Sequence, residues 1–179
     1  ITYEAPYLDN LPTAPREKFA ANIAAIQKLK EIEQRVANGG SPAFEDEQRI
    51  LAQYTGWGGL SDAFDPNKSA WSNEYSQLKA ALSESEYEAA RSSTLTAFYT
   101  PATVIHPIYR ALERFGVKGG KILEPSMGTG AFLAHGHFGS SDAKFYGVEL
   151  DSITGRISKQ LYQKANIQVT GYENALLPD

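Results

Sequence analysis

The apolar run Lys121-Ile122-Leu123 leads straight into a glycine turn, Glu124-Pro125-Ser126-Met127-Gly128-Thr129-Gly130-Ala131-Phe132. This junction constrains the fold more than any other segment. A strand, a tight turn and the start of a helix, in that order, make a cradle for a ligand. Glycine lets the backbone turn sharply and lets a ligand approach without a side chain in the way. The N–H groups of the first helical turn are then directed at that ligand. About twenty residues on, Phe145-Tyr146-Gly147-Val148-Glu149-Leu150-Asp151 reads as a strand ending in carboxylates. An acid at the end of a second strand is placed to hold a ribose diol.

Three strands are expected, over residues 121–123, 144–149 and 167–170. Helices begin near Gly130 and at about Ser152, the second reaching Lys164. Strands alternating with helices imply an α/β domain with a parallel sheet. The half before it reads as helical. Thr13 can cap a helix with Pro15 in its first turn. Phe19, Ile23, Ile26, Leu29, Ile32 and Val36 follow at helical spacing, and Asn38-Gly39-Gly40 ends the run. Ser41-Pro42 opens a second helix reaching about Tyr54. Further helices are expected over 71–82 and 83–91, the latter with a Ser83-x-x-Glu86 capping box. The first dozen residues read as an irregular lead-in anchored by Tyr7. The pattern changes at about Thr94, dividing the chain into 1–93 and 94–179. Thr100-Pro101 then caps a helix carrying Val104, Ile105, Ile108, Tyr109 and Leu112, which ends at Gly116.

With Phe98-Tyr99-Thr100-Pro101 upstream, the acid-Pro pair and its glycine turn resemble the adenine-specific, S-adenosylmethionine-dependent DNA methyltransferases. The resemblance covers residues 95–179 and implies a partial Rossmann-like methyltransferase sheet of about three strands, preceded by the helical region. It implies S-adenosylmethionine as cofactor. Phe98, Tyr99, Thr100 and Pro101 would lie against its methionine part. Glu124, Pro125, Ser126, Gly128, Gly130 and Phe132 would form the cradle, Glu149 and Leu150 would hold the ribose, and Glu173 would meet the adenine amine. Gln53-Tyr54-Thr55-Gly56-Trp57-Gly58-Gly59-Leu60 resembles methylase segments of large mobile-element proteins in which a helicase-like region often follows. The implied activity is methyl transfer to adenine N6 in DNA, in a restriction-modification setting.

The family's Asn/Asp-Pro-Pro-Tyr/Phe motif is missing. Asp65-Pro66 is followed by Asn67-Lys68 and precedes the glycine turn. The chain therefore reads as an N-terminal fragment with no catalytic residue, inactive alone, whose remaining methyltransferase half lies in a parent protein. A net charge of −4 among 179 residues suits weak DNA binding at best, since phosphate contacts supply much of such affinity. DNA would be reached through the parent. Three strands alone would leave a sheet edge open to self-association. The chain has no cysteine, no membrane-length apolar run and no signal peptide, which fits a cytoplasmic protein.

Other residues favour plainer roles. Trp57 between glycines reads as a loop anchor before a base-stacking platform. His135 and His137 lack a third ligand for a metal. Asp151 reads as a helix cap. A helical docking module with a vestigial cofactor pocket is the alternative reading. A nicotinamide oxidoreductase fits less well, because G-x-G-x-x-G is absent.

Overall fold

The computed structural model describes residues 10–136 and 143–178. Tyr7 and His137 lie outside them. The chain divides into two compact units, one over Asn10–Phe98 and the other over the described residues from Tyr99 on.

The first unit is helical. Helix α1 (Pro15–Ala37) buries Phe19, Ile23, Ile26, Leu29 and Ile32 of the stripe expected from the spacing, whereas Val36 in its last turn is exposed. Its N-cap is Ala14 rather than Thr13, and no side chain caps it. Helix α2 (Glu45–Leu51) starts later than Ser41. The reason is Arg35, whose guanidinium donates to the Ser41 and Pro42 carbonyls at 3.0 and 3.1 Å and occupies groups that a helix would need. Helix α3 (Ser72–Ala81) packs on α1, and α4 (Glu84–Ser93) opens with the expected Ser83/Glu86 capping box. Trp57 is 2% exposed. Its ring packs edge-on against Phe19, Tyr54 and Phe64. Buried Asn22 fixes the adjacent turn, donating to Gly56 O at 2.7 Å and accepting from Thr55 N at 2.9 Å. The Gly56-Trp57-Gly58-Gly59 segment is thus a core anchor.

The second unit is α/β. Helix α5 (Ala102–Arg114) precedes β1 (Gly120–Glu124), α6 (Ala131–His135), β2 (Ala143–Glu149), α7 (Ser152–Leu161) and β3 (Asn166–Val169). The sheet order is β1-β2-β3, parallel throughout. Glu124 pairs with Gly147, and Glu149 with Val169. Successive strand residues alternate between faces, so Phe145, Gly147 and Glu149 share one. Ile105 and Tyr109 of α5 form a cluster there with Ile122, Phe132 and Phe145. On the same face, Gly155 of α7 lies against Val169 and the Glu149 Cβ. The fold is therefore mixed α/β, a three-stranded parallel sheet preceded by a helical region, as the alternating pattern implied. Among the described residues no helix is long and apolar enough to cross a membrane.

Candidate functional site

The glycine turn leaves β1 at the carboxyl end of the sheet, where ligands of open α/β sheets bind. Met127 N donates to Val148 O at 3.0 Å and ties the turn to β2. Gly128 and Gly130 have φ of +54° and +80°, in the left-handed region that side chains disfavour. Neighbours add a second reason for glycine. A Cβ at Gly128 would lie 2.6 Å from the Tyr99 ring, and one at Gly130 would lie 2.3 Å from the Tyr162 ring. Two tyrosines of the chain itself therefore pack against the turn. Helix α6 has only five residues, with Gly130 at its N-cap, so the helical turn expected to face a ligand is short.

Glu149 ends β2. Its carboxylate accepts from Gly128 N at 2.7 Å and from Asp151 N at 2.8 Å, strapping the turn to the β2–α7 junction. Burial raises its pKa above the usual carboxylate range, against the pull of those amide bonds. The Leu150 amide also bonds to it, so three backbone amides face a carboxylate with about four lone-pair sites. Glu124, half-buried at the end of β1, is also raised by burial. Neither acid forms an ion pair among the described residues. The Tyr109 hydroxyl donates to Phe132 O at 2.6 Å; burial, and the charge of Glu124, push it up to about 12. Burial likewise raises Tyr99, whose hydroxyl hydrogen-bonds with Thr154.

Asp151 caps α7 as expected, accepting from Thr154 N at 2.8 Å. Leu150 beside it is 77% exposed. Glu173 lies in a short 3-10 helix past β3 and takes a 3.0 Å bond from the Asn174 amide. Pro125 and Ser126 are exposed at the turn, and Thr100 and Pro101 are exposed before α5. Phe132 packs in the α5 cluster, and Phe98 belongs to the helical unit, 76% exposed. Tyr99, Gly128, Glu149 and Asp151 therefore come together. Ser158 and Tyr162, which no local motif marks, also belong to the site: they donate to the Gly128 and Thr129 carbonyls at 2.9 and 3.1 Å. A hydroxyl every fourth residue on the apolar side of α7 was the available signal. His135 meets His106 at 3.1 Å between Nδ1 and Nε2. Among the described residues no group of three could hold a metal.

No protein-family description matches the chain, and no solved structure does. The chain is similar to Defense against restriction protein B of Escherichia phage P1, with 28% identity over 158 residues. That match covers 88% of this chain and 5% of the phage protein, so the chain spans about a twentieth of its relative's length. This corrects three expectations: membership of the adenine-N6 DNA methyltransferases, methyl transfer as the function, and classification as a methyltransferase enzyme. The relative is named for defence against restriction, not for modification of DNA. The alternative of a mobile-element docking module with a vestigial pocket gives way to the same finding. A strand–glycine turn–helix with an acid on the next strand specifies a shape that can hold a ligand, and such a shape serves many activities. Nothing in it specifies a reaction, and the motif that would do so is missing from the chain.

Proposed function

We propose that this chain acts in defence against restriction and contributes to it by holding S-adenosylmethionine, or a ligand of the same chemistry, at the carboxyl end of its sheet. The similarity to the phage P1 protein carries the first part. Two half-buried carboxylates with no cationic partner among the described residues support the second. A ligand with a ribose diol and a positive charge complements them: the diol donates to Glu149, and the charge relieves the burial of both acids.

DNA carrying the gene for this chain should survive entry into a restricting host better than the same DNA with Gly130→Asp. The two should survive equally in a non-restricting host. Equal survival in the restricting host would end the antirestriction reading. For the ligand, titration calorimetry with S-adenosylmethionine should show Glu149→Ala losing about 1.5–3 kcal/mol of binding, the worth of hydrogen bonds to a charged group. Asp151→Ala should lose less, because Asp151 is engaged with Thr154. Equal losses would place the diol elsewhere.

A further inference from the structure

The buried face of α7 and the C-cap residue that follows it carry three hydroxyl side chains at four-residue spacing: Thr154, Ser158 and Tyr162, at 4%, 0% and 1% exposure. Apolar residues at such positions would avoid the cost of burying hydroxyls, so the bonds the three make are informative. Each holds a different part of the site. Thr154 Oγ1 donates to Asp151 Oδ2 at 2.5 Å and hydrogen-bonds with the Tyr99 hydroxyl. Ser158 Oγ donates to Gly128 O at 2.9 Å, and the Tyr162 hydroxyl donates to Thr129 O at 3.1 Å. The Tyr162 ring also fills the space where a Gly130 side chain would stand.

Those bonds decide where the turn's amides point. A trans peptide directs its C=O and N–H oppositely. Anchoring Gly128 O on Ser158 therefore turns the Thr129 N–H away from α7. The neighbouring donors are already engaged: Gly128 N with Glu149, and Gly130 N with Met127 O at 2.9 Å. The turn thus directs the Thr129 amide away from the helix that clamps it.

We propose that Thr154, Ser158 and Tyr162 are positioning residues. They set the turn before any ligand arrives, so that the Thr129 amide donates to an acceptor oxygen of the same ligand whose hydroxyls donate to Glu149. This rests on the ligand reading above, and names its further requirement: a carboxylate or similar acceptor attached to the nucleoside.

The test uses the full chain and two measurements. In the free protein, Ser158→Ala should move the Thr129 amide resonance and speed its hydrogen exchange, because the carbonyl of that peptide loses its donor. In calorimetry with S-adenosylhomocysteine, Ser158→Ala and Tyr162→Phe should each weaken binding about 3- to 10-fold, the effect of one neutral hydrogen bond. Ile157→Val loosens the same helix without removing a hydroxyl and should change neither readout. An unmoved Thr129 amide in Ser158→Ala would overturn the proposal. So would a loss in Tyr162→Phe no larger than that in Ile157→Val. If the wild-type chain takes up no S-adenosylhomocysteine, the ligand reading falls, and the amide measurement alone decides whether α7 sets the turn.

Discussion

Glu47 and Glu149 are the same residue in opposite circumstances. Glu47, in the helical unit, accepts two bonds from the Arg35 guanidinium, at 2.7 and 2.6 Å, and one from its own helix start at Phe44 N. The guanidinium outweighs the burial, and its pKa falls from 4.5 to about 2. Glu149, in the sheet unit, has only backbone amides to face, and burial wins, raising it. A carboxylate matched to a cation is finished as structure. One held by amides alone keeps a use for a further donor, which is why the candidate site belongs to the sheet unit.

The largest effect that would sharpen this contrast comes from two glycines with nearly equal torsions. Gly39, after α1, has φ +83° and nothing within 4 Å of where a Cβ would stand; Gly130 has φ +80° and the Tyr162 ring 2.3 Å from that point. Gly39→Ala should cost only the left-handed backbone penalty, about 1 kcal/mol. Gly130→Ala should add overpacking and lose about 3 kcal/mol or more. Urea unfolding midpoints measure both, and equal losses would mean that Tyr162 yields freely.

The charges come next. At neutral pH, Glu47→Gln should cost about 1–2 kcal/mol after allowance for solvent around Arg35. Glu149→Gln should cost less than about 1 kcal/mol, since it removes a buried charge while losing one of two acceptors. The pH dependences run in opposite senses. Glu47 is lowered in the folded state, so its contribution is present above 4.5 and is lost as pH falls from there towards 2. Glu149 is raised, so the folded state binds the extra proton, and the stability this gives is present below 4.5 and is lost as pH rises from there through its folded-state pKa. The two tryptophans, Trp57 and Trp71, both lie in the helical unit, so their fluorescence follows the loss of the Glu47 contribution. A carboxyl-carbon NMR titration placing Glu149 below Glu47 would break the comparison.

Legibility in the sequence followed the range of the interactions. The α1 stripe, the Ser83 box, the three strands and the Asp151 cap could be read because each is set by residues a few positions apart. The late start of α2 could not be read, because Arg35 holds residues six and seven positions on from another element. Within the site, the acid at the end of β2 was visible as a strand terminus. Its bond to Gly128 spans 21 positions, and the Ser158 and Tyr162 bonds span 30 and 33. No local pattern announces those partners. Function was the least legible, because the cradle is a shape shared by many activities.

The smallest contrast lies between two helix caps. Ser83 accepts from Glu86 N at 3.3 Å on an exposed surface. Asp151 accepts from Thr154 N at 2.8 Å and also from the Thr154 hydroxyl at 2.5 Å. Losing a cap costs about 0.5–2 kcal/mol. Ser83→Ala should fall at the lower end, because its bond is long and water can replace it. Asp151→Ala should fall at the upper end, because the buried Thr154 hydroxyl loses an acceptor along with the backbone amide. A double variant, Asp151→Ala with Thr154→Val, separates the two contributions. If the hydroxyl bond matters, the second substitution should add little to the first, and the two losses should be less than additive by about 0.5–1 kcal/mol. Strict additivity would show the Asp151 cap to be as local as that of Ser83, and the polar face of α7 would then begin at Ser158.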